Sequence, residues 1–199
     1  MCIRDRVQRL KTELAEEPAH QKACEIEESL QDLSRLSSKL LELAKAEGGG
    51  ILSEKERDLV PVLRTLVSDY DRSHPGRIQL EAADMPVTSL LDPDAYAILT
   101  RNLIENALKH GSGSEPVCIR LLADGTFTIS NSGASIAPED MSRLQKRFVR
   151  ANTKASGSGL GLAIVQAIAS SANLKLSFYS PARGQKDGFE AELNVVIRP

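Results

Sequence analysis

Hydrophobic positions follow two kinds of pattern along this chain. Ile26, Leu30, Leu33, Leu36, Leu40 and Leu43 recur at intervals of four, three, three, four and three, which is one apolar seam of a helix. Glu25, Glu27, Glu28, Asp32, Arg35 and Lys39 surround that seam. Upstream, Val7, Leu10 and Leu14 share helical spacing, and Pro18 interrupts it. The spacing predicts two antiparallel helices with a turn near residues 17–20. A lone hairpin with so narrow a seam cannot bury its apolar face. Half of a helical bundle completed by a second chain is therefore expected over a solvent-washed hairpin. The leader, residues 1–6, extends neither the seam nor a cap and is read as foreign.

Gly48-Gly49-Gly50 separates this part from an α+β pattern over residues 51–199. Leu59, Val62, Leu63, Leu66 and Tyr70 give helical spacing over residues 58–71, and residues 77–83 alternate like a strand. Asp92 is placed to cap a long helix ending near His110, with Pro93 at its first position and Leu99, Leu103 and Ala107 on its buried face. Two alternating runs, 117–122 and 126–131, flank Asp124-Gly125, a hairpin signal. A helix over residues 159–172 and strands over 175–179 and 189–197 complete the expectation.

Composition narrows the class. The 199 residues are 41% hydrophobic and 26% charged, with 4% aromatic and no Trp, enough for one core of about 100–150 residues plus an appendage. A formal charge of −2 gives no global reason to expect nucleic acid. No apolar run approaches the roughly 18–20 residues that span a bilayer. Cys2, Cys24 and Cys118 are odd in number and widely spaced, which fits a reducing compartment and makes neither a disulfide nor a metal framework.

Three segments carry candidate chemistry. Asn102, Asn106 and Lys109 lie at i, i+4 and i+7 on one helix face. Asn is a poor helix former, so two in a helix interior need another reason. Stacked carboxamides are oxygen ligands suited to a hard ion such as Mg²⁺, and a lysine one turn on suits phosphate. The second segment, Ile129-Ser130-Asn131-Ser132-Gly133-Ala134-Ser135-Ile136, ends a strand in a small-residue turn that lets backbone approach a flat ligand. In the third, Gly157, Gly159 and Gly161 precede an apolar helix whose free N–H groups form an anion site. Its spacing matches neither a Walker loop nor a Rossmann fingerprint.

Taken in order, these segments resemble the ATP-binding domain of bacterial sensor histidine kinases, related to the ATPase domains of DNA gyrase and MutL. The resemblance covers residues 59–197. Residues 102–110 resemble the family's N box, 131–136 its G1 box, Arg147-Phe148-Val149-Arg150 its F box, and 157–162 its G2 box. Residues 7–46 resemble the end of the first helix and the whole second helix of the dimerisation and phosphotransfer hairpin. The resemblance implies a two-layer α/β sandwich with a mixed, mainly antiparallel sheet, preceded by that helical hairpin over residues 7–50.

It also implies roles. Asn106 would hold Mg²⁺, Asn102 would assist at the metal or its water, Lys109 would contact phosphates, and His110 would lie near the sugar or base edge. Asn131 would accept from the adenine amine, Gly133 would give clearance, and Ile136 closes that box. Gly157, Gly159, Leu160, Gly161 and Leu162 would admit the triphosphate. A lid over residues 137–156 would bring Arg147, Arg150 and Lys154 to it. Glu105 is a candidate to orient the acceptor histidine as base, or else a solvated helix charge.

Three departures qualify the resemblance. The family's G1 box usually reads Asp-x-Gly-x-Gly, and here Asn131, Gly133 and Ser135 hold those positions. Asn keeps a carbonyl acceptor, so an Asp at 131 is expected to bind adenine equally well or tighter. Ser135 tolerates fewer backbone conformations than Gly. None of His20, His74 and His110 stands in an H-box context, and the acceptor histidine is expected upstream of Val7. The expected activity is transfer of the γ-phosphoryl of Mg-ATP to a histidine, for relay to a response-regulator receiver domain. This cytoplasmic part would form a homodimer through the hairpin, with membrane attachment only through segments upstream. The alternatives are an ATP-gated conformational module and a non-catalytic dimerising fragment.

Overall fold

The computed structural model describes residues 17–137, 139–141 and 159–197. By packing the chain forms two compact units, residues 1–41 and 42–199. Helix α1, Glu17–Gly48, carries the Ile26–Leu43 seam and runs on into Gly48, the first glycine of the expected break. The expected turn at residues 17–20 is instead the first turn of α1. Pro18 is tolerated there because the first-turn N–H has no intrahelical partner to lose. In the first unit Ile26 and Leu33 are exposed, Leu30 and Leu36 half-buried. The expected helix over residues 7–16 lies outside the described residues.

The second unit is built on a five-stranded sheet of order β2-β4-β5-β7-β6, with β2 (Ile78–Ala82), β4 (Val117–Leu121), β5 (Thr126–Asn131), β6 (Leu176–Tyr179) and β7 (Phe189–Asn194). Strands β2 and β4 run parallel and the other neighbours antiparallel, so the sheet is mixed and mainly antiparallel. The β4–β5 hairpin turns at Asp124-Gly125, where the Asp124 carboxylate accepts from Thr126 N at 2.9 Å. That bond, on an exposed group, lowers the pKa of the Asp124 carboxyl.

Helices α2 (Val60–Ser73), α3 (Pro93–His110) and α4 (Gly161–Ser171) supply the second layer. Helix α3 packs on β4 and β5 and against both α2 and α4. Asp92 caps α3 as its position predicts, accepting from Asp94 N at 2.9 Å and Ala95 N at 3.2 Å. Leu99, Leu103, Ile104 and Ala107 on α3 meet a core containing Ile119, Leu121, Phe127 and Ile129. Tyr96 meets Phe127 edge to face, ring centroids 5.5 Å apart.

One strand pair has no counterpart in the sequence reading. Strands β1 (Leu52–Asp58) and β3 (Thr88–Leu91) form a separate two-stranded ribbon. Buried Ser89 ties it to the end of β7, donating to Val195 O and accepting from the amides of Leu91 and Ile197. Among the described residues no helix is long and apolar enough to cross a membrane.

Candidate nucleotide site

The α3 face comes first. Asn102 is 2% exposed, Asn106 is half-buried and Lys109 is exposed, so the face grades from core to surface as the i, i+4, i+7 spacing requires. The Asn102 amide nitrogen donates to Ile98 O at 2.8 Å and to Glu42 Oε2 at 3.1 Å. A methyl group on Gly161 would stand 3.4 Å from Asn102 Oδ1, so the first turn of α4 and the middle of α3 come together here. Buried Leu160 precedes that turn. Glu105 is no simple solvated charge: it is half-buried and accepts from the Tyr70 hydroxyl at 3.0 Å. Burial, reinforced by the Glu105 carboxylate, pushes the Tyr70 hydroxyl pKa well up.

The other end of the site forms where β5 stops. Asn131 is 4% exposed, and its amide donates to Ser132 O at 3.0 Å. Its side-chain oxygen is buried and has no hydrogen-bond partner. Such an orphan costs about 1–3 kcal/mol unless something satisfies it. The amide bond also changes the expectation for an Asp at 131: a carboxylate oxygen would replace the donor and face Ser132 O. Gly133 follows at φ +148°, and a Cβ there would come within 2.8 Å of His110 O. Ser135 departs from the family pattern without strain, since Asn173 is the one non-glycine residue with positive φ among those described.

Neighbouring segments clamp this turn. Ser112 N donates to Ser132 O at 2.9 Å, and Gly188 N donates to Gly133 O at 2.7 Å. Ile136 N donates to Ser180 Oγ, which in turn donates to Gly188 O. Gly188, at φ +90°, stands so close that a Cβ would lie 2.2 Å from Asn131 O. Arg183 holds the loop between β6 and β7 to the sheet through Glu190 and Glu192 and lies over the Tyr179 ring, 4.3 Å from its centroid. The carboxylates hold the Arg183 pKa high. Sequence reasoning missed Gly188, Ser180 and Glu42. Only Gly188 carried a local signal, as a glycine before a strand.

The structure thus brings Asn102, Asn106, Glu105 and Lys109 together on α3, with Leu160, Gly161 and Leu162 at the start of α4. It brings His110, Asn131, Gly133 and Ile136 together at the strand end. Arg147, Arg150, Lys154 and Gly157 lie outside the described residues. Among those described, no three or more His, Cys, Asp and Glu side chains form a group able to hold a metal.

Residues 91–197 match the family model described as histidine kinase-, DNA gyrase B-, and HSP90-like ATPase. The sensor protein QseC of Salmonella typhi is 34% identical over 167 residues, covering 79% of this chain and 35% of that protein. The chain therefore spans about a third of the length of this relative. Among solved structures, full-length ShkA in complex with AMPPNP has a TM-score of 0.69 at 21% identity, over 94% of this chain and 40% of that one. The Acinetobacter baumannii histidine kinase AdeS has a TM-score of 0.64 at 20% identity, over 97% of this chain and 93% of its own. At such identities the structures speak for the fold. The chain belongs to the histidine kinase-, DNA gyrase B- and HSP90-like ATPases, and corresponds to the C-terminal part of a bacterial two-component sensor histidine kinase.

Proposed function

We propose that this chain binds Mg-ATP and supplies the catalytic domain for transfer of the γ-phosphoryl to a histidine, for relay to a response-regulator aspartate. The buried, unpartnered Asn131 oxygen carries the reading. It is an acceptor held beside a turn that has no room for a side chain at Gly133, and adenine's exocyclic amine is the complementary donor. Asn106 offers a half-buried carboxamide oxygen, a hard ligand fitting Mg²⁺, with Asn102 assisting. Few protein ligands suffice, because Mg²⁺ commonly takes the rest from substrate phosphates and water. When bound, the ion neutralises charge on the phosphates. Lys109 contacts the phosphates, and Arg147, Arg150 and Lys154 belong to the same role.

In the transfer, an imidazole nitrogen of the acceptor attacks the γ-phosphorus, the bond to the β-phosphate oxygen breaks, and ADP leaves. Glu105, held by Tyr70, orients that imidazole and takes its proton. None of His20, His74 and His110 lies in an acceptor context, so the acceptor belongs to another segment. The apolar positions of α1 exposed in the first unit, Ile26 and Leu33, belong to a homodimer contact in this reading. Incubation with γ-labelled ATP is the test. Micromolar to millimolar Mg-ATP binding without acid-labile label on this chain is expected. Absence of binding overturns the nucleotide reading, and strong acid-labile label overturns the placement of the acceptor.

A further inference from the structure

Asn102 has both hydrogens of its amide nitrogen engaged. One goes to Ile98 O within α3, and the other crosses to Glu42 Oε2 at 3.1 Å, on the last turns of α1. That carboxylate does not owe its place to this bond. Leu43 and Ala46 beside it are buried, 6% and 1% exposed, and Ala46 O accepts from Ser171 Oγ at 2.8 Å. A carboxylate only accepts and an amide nitrogen only donates, so two acceptors on one side decide which end of the carboxamide lies there. The oxygen lies on the side of the first turn of α4, where a Cβ on Gly161 would stand 3.4 Å from it.

We propose that Glu42 is a positioning residue for the metal site: it holds the Asn102 carboxamide with its oxygen presented to Mg²⁺ or a metal-bound water. This rests on the reading of Asn102 given above. A carboxamide with one anchor fewer turns its NH₂ group outward part of the time, and that group repels a cation. Outer partners that orient metal-binding groups commonly change metal affinity by about tenfold or more.

The test uses the full chain and separates this claim from nucleotide binding itself. Calorimetry measures ATP affinity in excess chelator, then the Mg²⁺ concentration that half-saturates the tighter Mg-ATP binding. For Glu42→Ala, an unchanged chelator-phase affinity and an Mg²⁺ requirement raised about tenfold are expected. Glu42→Gln keeps an acceptor for Asn102 and should stay within twofold of the parent on both. Thermal melting confirms that each variant is folded, and Ala is a good helix former at this position. An Mg²⁺ requirement for Glu42→Ala equal to the parent's overturns the proposal. So does an equal loss in Glu42→Ala and Glu42→Gln, which would mark the charge rather than the orientation as the cause. If the parent itself binds no Mg-ATP, the underlying reading fails instead. If Glu42→Ala does not fold, Glu42→Met, which also removes the acceptor and suits a helix, takes its place: a rise of about tenfold in its Mg²⁺ requirement is expected, and a parent-like requirement overturns the proposal.

Discussion

The two ends of the site are prepared in opposite ways. At the end of β5 the structure leaves something undone: the Asn131 oxygen is buried and unpaired, while its amide and the surrounding turn are fixed by Ser132, Ser112, Gly188 and Ser180. On α3 the polar groups are already in use, with Asn102 donating to Glu42 and Ile98 and Glu105 accepting from Tyr70. One end is a buried acceptor set in a hydrogen-bonded turn. The other is a set of oxygens whose directions neighbours have set. Preorganisation by exclusion governs the first, and preorganisation by hydrogen bonding the second.

The largest effect should come from breaking the exclusion. Gly188→Ala puts a Cβ 2.2 Å from Asn131 O at φ +90° and is expected to cost about 2–4 kcal/mol of stability, with loss of ATP binding. A melting curve within about 2 °C of the parent would show that the clamp on the strand end is softer than described. Next, Asn106→Ala should abolish the Mg²⁺-dependent gain in ATP affinity while leaving binding in chelator intact. Calorimetry with and without Mg²⁺ checks this, and loss of both would merge the two ends into one. Asn131→Asp should weaken binding by about 1 kcal/mol, because its carboxylate must face Ser132 O where the amide now donates. Titration with ATP reads this directly; tighter binding would mean that the turn rearranges freely. The smallest effect is expected for Tyr70→Phe, about 0.5–1.5 kcal/mol of stability from one hydrogen bond. Urea unfolding measures it, and no change at all would mean that the Glu105 contact contributes nothing.

Local rules made much of this legible before the structure. Asp92-Pro93 announces a helix start through cap chemistry, and the Asn-Asn-Lys face follows from helical geometry alone. The β4–β5 hairpin is written in its Asp-Gly turn. What stayed hidden depends on segments far apart in the chain. Strand β1, Leu-Ser-Glu-Lys-Glu-Arg-Asp, has weak intrinsic strand preference and gains its conformation by pairing with β3, about thirty residues on. Glu42 reaches Asn102 across sixty positions, and Gly188 reaches Asn131 across the β5–β7 pairing. Pro18 misled in the other direction: a helix breaker in the interior is an acceptable first-turn residue, and nothing local says which applies.

The central claim is that Asn131 reads the exocyclic amine of adenine. Calorimetry with ATP and with purine riboside triphosphate, which lacks only that amine, tests it on the parent chain and on Asn131→Ala. The parent should prefer ATP by about tenfold or more, the equivalent of one buried hydrogen bond, and Asn131→Ala should bind the two alike. Equal affinity of the parent for both nucleotides, or an undiminished preference in Asn131→Ala, would contradict the account.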